Sequence, residues 1–394
     1  MIKKERVDEI YLVRAFAIIG VLFVHSTSFA VGATTESSLF YAYNFANIFF
    51  KFGTPTFIFL SSFVLFYNYY DKPLSKSMIA SFYKKRLLYI LLPYLVFSLG
   101  YYVLLHFLYY PHRTLEEAVS IFLVKLLTGK AYTHLYFVFI SMQFYLLFPL
   151  LLVAFKSRRS LAKYSVLIGF IIQWGFVLLN HYLMKKYHWS VPNKGSWSLS
   201  YFAYYFAGAY IGIYYTQLKE WLIIRKENFL TRKGIAWVLL WATWLTVGLL
   251  HVQLWYTTRL TLKYAYTLWY ELLWNLHTFA SALVLLQLSY LVYRNAARWF
   301  VKLMMHLGVV SFGIYLIHPL FLLVYRRFPE TRAFWHHVWY AGGFLVALIG
   351  SWIVVTIAFR YFRSAWIVFG NVPKPYQKKP RTIVDKAKSY ESIS

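Results

Sequence analysis

A chain of 394 residues that is 60% hydrophobic and 22% aromatic is too apolar for a water-soluble globule, in which about half of the residues are apolar. Its net charge of +28 is spread through many short segments, which argues against a nucleic-acid-binding protein. With no cysteine, disulfides, thiolate metal sites and a cysteine nucleophile are excluded.

Apolar runs recur at 10–31, 47–70, 87–110, 134–155, 164–184, 198–216, 235–252, 268–292, 303–325 and 338–362. Each is close to the twenty or so residues that cross a bilayer as a helix. The expected fold class is therefore all-α integral membrane, with about ten transmembrane helices. The first run is too long for a cleaved signal and has no small-residue cleavage site. With the N-terminus placed inside, 28 of the 41 Lys and Arg fall on that side, 11 fall in the opposite loops, and Arg14 and Lys51 lie within spans. The asymmetry obeys the positive-inside rule, so both termini are expected in the cytoplasm. One polytopic domain, 1–370, carries a short basic tail, 371–394, expected to be disordered. The longest outer loop is 111–133. No phosphate-cradling glycine motif is present, so nothing supports ATP-driven transport.

Along the chain, the first span holds Arg14 and His25, eleven residues apart. That is close to three whole turns, which puts both side chains on one helix face about 16 Å apart along the axis. A guanidinium in a span costs roughly 3 kcal/mol on insertion scales and is kept for a task. The pair reads as a phosphate anchor at one depth and a proton-handling group at another. Snorkelling to the inner interface is the plainer reading of Arg14. Lys84-Lys85-Arg86, at the inner start of the third span, is both a topology signal and a second anion-binding candidate beside Arg14. Alternation of span direction places His134 at the outer end of the fourth span and Glu271 near the outer edge of the eighth. His277 lies below Glu271, and His318 falls in the outer half of the ninth. His25, His134, His318 and Glu271 thus share a level on four helices distant in sequence, which is the main argument for a site. His106, His112, His181, His188, His251, His336 and His337 read as edge or loop residues. No metal site is expected.

Four stretches carry a resemblance. They are Arg14-x10-His25; Phe50-Lys-Phe-Gly53-Thr-Pro-Thr-Phe57-Ile-Phe-Leu-Ser61-Ser62-Phe63; His134-Leu-Tyr-Phe-Val-Phe-Ile-Ser-Met-Gln143-Phe-Tyr145-Leu-Leu-Phe-Pro149; and Ser311-Phe-Gly-Ile-Tyr315-Leu-Ile-His318-Pro319. Together they resemble acyltransferase family 3, integral-membrane enzymes that O-acylate bacterial surface glycans. Two positions depart from that pattern: Ser62 stands where Gly is usual, and Tyr89 where a further Arg is common.

The resemblance implies an O-acyltransferase, most often an acetyltransferase, in a bacterial cytoplasmic membrane. Acetyl-CoA or another acyl-CoA would be a co-substrate, with no permanently bound cofactor, and the acceptor an extracytoplasmic polysaccharide or glycan. On this reading Arg14, Arg86 and Lys85 hold the donor phosphates. His25 is either a general base or an acyl carrier, with His134, His318 and Glu271 around it. Tyr145, Ser311, Tyr315 and Gln143 are candidate substrate or carbonyl contacts. Envelope-polysaccharide synthesis proteins are the expected partners, besides the lipid bilayer. The alternative is a transporter or flippase for a polysaccharide or lipid-linked sugar.

Overall fold

The computed structural model describes residues 5–330 and 332–371, and the chain over these residues is helical, without strands. Apart from Asn371, the expected tail lies outside them. Among the described residues, nine stretches are long and apolar enough to cross a membrane. The first is α1 (Glu9–Ala33). The second, α2 (Phe40–Phe49) and α3 (Gly53–Tyr69), is broken at Phe50–Phe52. The third joins α4 (Lys76–Arg86) to α5 (Leu92–Tyr109) through a π turn at Leu87–Leu91. Pro93 follows that turn with no amide hydrogen to give back to the helix. After α6 (Leu115–Leu127) come the span α7 (Tyr136–Ser157), the short α8 (Arg159–Lys163), the span α9 (Ser165–Tyr187), α10 (Phe202–Ile213) and α11 (Tyr215–Leu222). The remaining spans are α12 (Arg232–Thr261), α13 (Thr267–Asn295), α14 (Arg298–Tyr325) and the pair α15 (Ala333–Leu345) and α16 (Ser351–Tyr361), before a final α17 (Ala365–Phe369).

α1 is the hub of the bundle. Leu12, Val13, Ala15, Ala17, Ile18 and Leu22 are fully buried, so apolar residues are covered on every side of it. α14 runs parallel to α1: Tyr11 meets Gly308 near one end, and His25 meets His318 near the other. A Cβ at Gly308 would lie 1.7 Å from the Tyr11 carbonyl oxygen, so only glycine lets the two backbones touch there.

The ten expected spans become nine and a shorter helix. The run 198–216 opens as 3₁₀ turns, Lys194–Ser196 and Ser198–Tyr201, and only then forms the 12-residue α10. At 1.5 Å per residue α10 is about 18 Å long, too short for a bilayer core near 30 Å. It is instead encased by protein. It runs parallel to α3, with a Cβ at Gly208 falling 2.1 Å from the Phe59 carbonyl oxygen, and Gln173 of α9 accepts from Ala203 N–H on its other side. Irregular backbone is tolerated at membrane depth when protein covers it.

The expected outer loop 111–133 is not a loop either. Thr114 and Glu117 form a capping box that starts α6. α6 then folds back along α5, with Tyr102 donating to the Ala118 carbonyl (2.7 Å) and Tyr94 to that of Leu126. The chain therefore returns partway into the bundle before α7, and this re-entry sets the depth of His134.

Candidate active site

Three histidines meet on the half of the bundle away from the N-terminus. The ring centroids of His25 (α1), His134 (ahead of α7) and His318 (α14) lie 6.5 Å, 5.1 Å and 5.4 Å apart for the pairs 25–134, 25–318 and 134–318. His134 and His318 are fully buried, whereas His25 is only half-buried. His25 is therefore the ring that a substrate can reach.

Local sequence decides what the two buried rings present. Pro319 lacks the amide that would normally bond the carbonyl four residues back, that of Tyr315. His318 Nδ1 takes the freed acceptor at 2.8 Å, with the Ile314 carbonyl at 3.2 Å. Carbonyl oxygens only accept, so Nδ1 carries the proton and the neutral ring keeps its lone pair on Nε2. The same logic applies to His134, whose Nε2 donates to the Leu316 carbonyl at 3.2 Å and leaves the lone pair on Nδ1. His318 Nε2 and His134 Nδ1 have no partner among the described residues. An unpaired buried polar atom costs about 1–3 kcal/mol, so two in one cluster mark it as more than packing.

Below the triangle lies a cavity of about 810 Å³, lined among others by Tyr11, Arg14, Ser61, Lys85, Arg86, Tyr145, Ser311 and Tyr315. Six of the residues anticipated from sequence thus share a wall. Arg14 faces this space from the central helix, so it does not merely snorkel toward the interface. The Arg86 guanidinium stacks over Tyr145 at 4.8 Å and Phe82 at 5.2 Å, and its Nε has no partner among the described residues. Arg6, Lys302 and His306 also reach the cavity, and among the described residues no acidic side chain lines it. Such a cavity suits a ligand with several phosphates. Sequence reasoning passed over Lys302 and His306, whose i, i+4 spacing on α14 was the available signal.

Two rings line the cavity on the side of the triangle. Phe137 and Tyr315 pack edge to face at 5.2 Å. Tyr315 contacts the His134 and His318 rings at 5.1 Å and 6.0 Å and donates its hydroxyl to the His134 carbonyl. Tyr315, a candidate substrate or carbonyl contact, thus lines the cavity with its ring while its hydroxyl braces the His134 backbone. Ser311 lines the cavity while donating to the Gly308 carbonyl at 2.9 Å, and Tyr145 accepts from Ser61 at 3.4 Å.

Gln143 and Glu271 fall elsewhere. The Gln143 amide donates to the Ser196 carbonyl (2.8 Å) and accepts from Ser198 N–H (2.9 Å), so it pins the segment leading into α10. Glu271 sits on α13 at the anticipated end of its span, but its carboxylate is taken by Lys194 at 2.5 Å. His134 and His318 are thus oriented by backbone carbonyls and not by this carboxylate. His251, expected at an edge, is 1% exposed, because α12 continues to Thr261, beyond the anticipated 252. Arg326, also unanticipated, donates to the His25 carbonyl at 2.7 Å. Its place two turns after His318 was the clue. Burial lowers the affinity of this guanidinium for its proton, and the nearby Tyr132 and Tyr340 oppose that effect.

A multipass helical bundle with a basic cavity beside a cluster of three histidines defines a helical membrane protein with a candidate active site enclosed among its spans. A family model described as "Acyltransferase domain" matches residues 7–356, nearly the whole chain, and the chain belongs to acyltransferase family 3. It is similar to a protein of Staphylococcus epidermidis called "Probable poly-beta-1,6-N-acetyl-D-glucosamine export protein", 26% identical over 383 residues, covering 95% of this chain and 97% of that one. The protein of the same name from a particular strain of S. epidermidis matches to the same extent. No solved structure matches.

Proposed function

We propose that this chain is an O-acyltransferase of the bacterial cytoplasmic membrane, moving an acyl group, most simply acetyl, from cytoplasmic acyl-CoA to a hydroxyl of an extracytoplasmic glycan. The observation that carries the proposal is the stacking of the two sites along α1. A basic, acid-free cavity at Arg14, Lys85 and Arg86 lies toward the N-terminal side, and a histidine triangle with two free lone pairs lies one transfer length above it.

Arg14, Arg86 and Lys85 bind the donor's phosphates, Lys302 and His306 add to the positive field, and the thiol arm extends along α1 toward His25. Entry of the thioester requires Tyr315 and Phe137 to part. His25 takes the proton of the acceptor hydroxyl, the alkoxide forms the new C–O bond at the thioester carbonyl, and the C–S bond breaks. The proton then passes to the departing thiolate, which leaves as the thiol of CoA. His134 and His318 are neutral acceptors that hold or relay that proton. Arg326, fixed to the His25 backbone, holds the outer rim where the acceptor arrives. Nearby rings, among them Phe29, Tyr43 and Tyr340, suit the faces of sugars.

The name of the staphylococcal relative favours a second reading, export of a polysaccharide. One experiment separates the two. Purified protein in lipid nanodiscs is given acetyl-CoA labelled in the acyl group, together with envelope glycan, and label on the glycan and free CoA are measured. Acyl transfer by the native chain and none by His25→Ala is the expected result. A folded native protein that consumes no thioester while moving glycan across the bilayer would overturn the proposal.

A further inference from the structure

A second buried polar group lies on the α2–α12–α13 side of α1. Arg259 of α12 donates to Asn44 Oδ1 and Asn47 Oδ1, both at 2.8 Å. These amides are themselves anchored. Asn44 donates to the Val252 carbonyl at 3.0 Å, and Asn47 to the Val24 carbonyl at 3.1 Å and Thr27 at 3.3 Å. Asn44 is fully buried and Asn47 is 4% exposed. A guanidinium clamped by two such amides is a built feature and not a wandering surface arginine.

Lys51 stands at the break between α2 and α3. Its ammonium lies 5.1 Å from the centre of the Trp255 ring, and the Arg259 guanidinium lies 5.4 Å from the same ring. Behind them His251 and His277 face each other, with Nδ1 atoms 3.5 Å apart, and His277 Nε2 has no partner among the described residues. Lys51, Arg259, His251 and His277 are close enough to interact electrostatically. No carboxylate forms an ion pair with Lys51 or Arg259 among the described residues, and the Lys51 ammonium makes no hydrogen bond there. Two cations at membrane depth without a counter-charge are costly. Both remain partly accessible, so the missing charge can be delivered from outside the chain.

We propose that Lys51 and Arg259, seated over Trp255, form a binding site for an oxyanion, a phosphate or carboxylate on a ligand that reaches the bundle face away from the N-terminus. The site lies apart from the basic cavity at Arg14 and Arg86. Its meaning, though not its existence, rests on the acyltransferase reading: the oxyanion belongs to the acceptor or to the lipid that carries it.

The test is the thermal midpoint of the purified full chain in a neutral detergent. Sodium phosphate, sodium glucuronate and sodium chloride are titrated at matched ionic strength, alongside nanodiscs of phosphatidylcholine with and without phosphatidylglycerol. Phosphate or glucuronate should raise the midpoint by about 3 °C or more beyond chloride, as mass action requires for an anion bound only by the folded state. A response to the soluble anions marks a ligand group free in solution, and a response confined to phosphatidylglycerol marks a lipid headgroup. Both support the site.

Lys51→Met should raise the anion-free midpoint and abolish most of the shift, because it removes an unpaired charge and strands no hydrogen bond. Lys163→Met, at an exposed position on α8 away from both basic sites, should keep it. Equal responses to all anions and both lipids would overturn the site. So would a Lys51→Met protein that is destabilised and still shows the native shift. Because thioester chemistry is not read, a failed acyltransferase assay would leave this result standing.

Discussion

The two histidine groups of this bundle are made of the same residue type at similar depth, yet they are prepared for opposite tasks. In the triangle, backbone carbonyls of α14 fix the tautomers of His134 and His318 and leave lone pairs unclaimed. In the α12–α13 pair, the rings face each other beside Lys51 and Arg259. Under the proposals above, the first arrangement serves as a proton acceptor and the second borders a cationic pocket. What differs is not the histidine but what its ring is tied to: a carbonyl fixes which nitrogen keeps a lone pair, whereas a neighbouring cation disfavours a charged ring.

The comparison breaks most sharply at His25. His25→Ala should lower acyl transfer by about 10³-fold, within the range of positioned acid–base groups, while the protein keeps its helical circular dichroism and elution volume. Retained transfer would move the chemistry elsewhere. Pro319→Ala comes next and tests the tautomer argument. Restoring the amide gives the Tyr315 carbonyl back to the helix, so turnover should fall by about tenfold even as the thermal midpoint rises, proline inside a helix being unfavourable. A fall in both would mean simple damage.

Arg14→Ala and Arg86→Ala should each weaken donor binding by about tenfold, the loss of roughly one charge-assisted contact, with KM for acyl-CoA rising and kcat little changed. Equal loss in kcat would place these cations in the chemistry. The smallest change concerns Gln143→Ala, which leaves Ser196 and Ser198 backbone groups unpaired. It should cost about 1–3 kcal/mol of stability, read as a lowered midpoint, with the donor KM unaffected.

The spans were legible because an apolar run of twenty residues has few other uses. The meeting of His25, His134 and His318 was legible because alternating direction converts position along the chain into depth. Partnership within a level was not legible. Glu271 stands near its anticipated depth, but its partner Lys194 comes from a loop whose path follows from tertiary packing. The same packing hid α10: its apolar run looks like any other span, and only the contacts of Gly208 with α3 reveal a short helix sealed inside protein. For α6, by contrast, the Thr114–Glu117 capping box was in plain view and marks a helix start.

The Phe137–Tyr315 pair has a consequence for the cell as a whole. Under the proposed function, a protein that admits a charged donor from one face of the membrane and a hydroxyl acceptor from the other is at risk of becoming a wire for protons, since buried histidines lie between the two openings. Phe137 and Tyr315, in edge-to-face contact beside the triangle, stand where such a path would run. Under the proposed function they would separate only while a thioester arm occupies the gap itself. The pair that delays the donor is therefore also what makes the site safe to embed in an energised membrane.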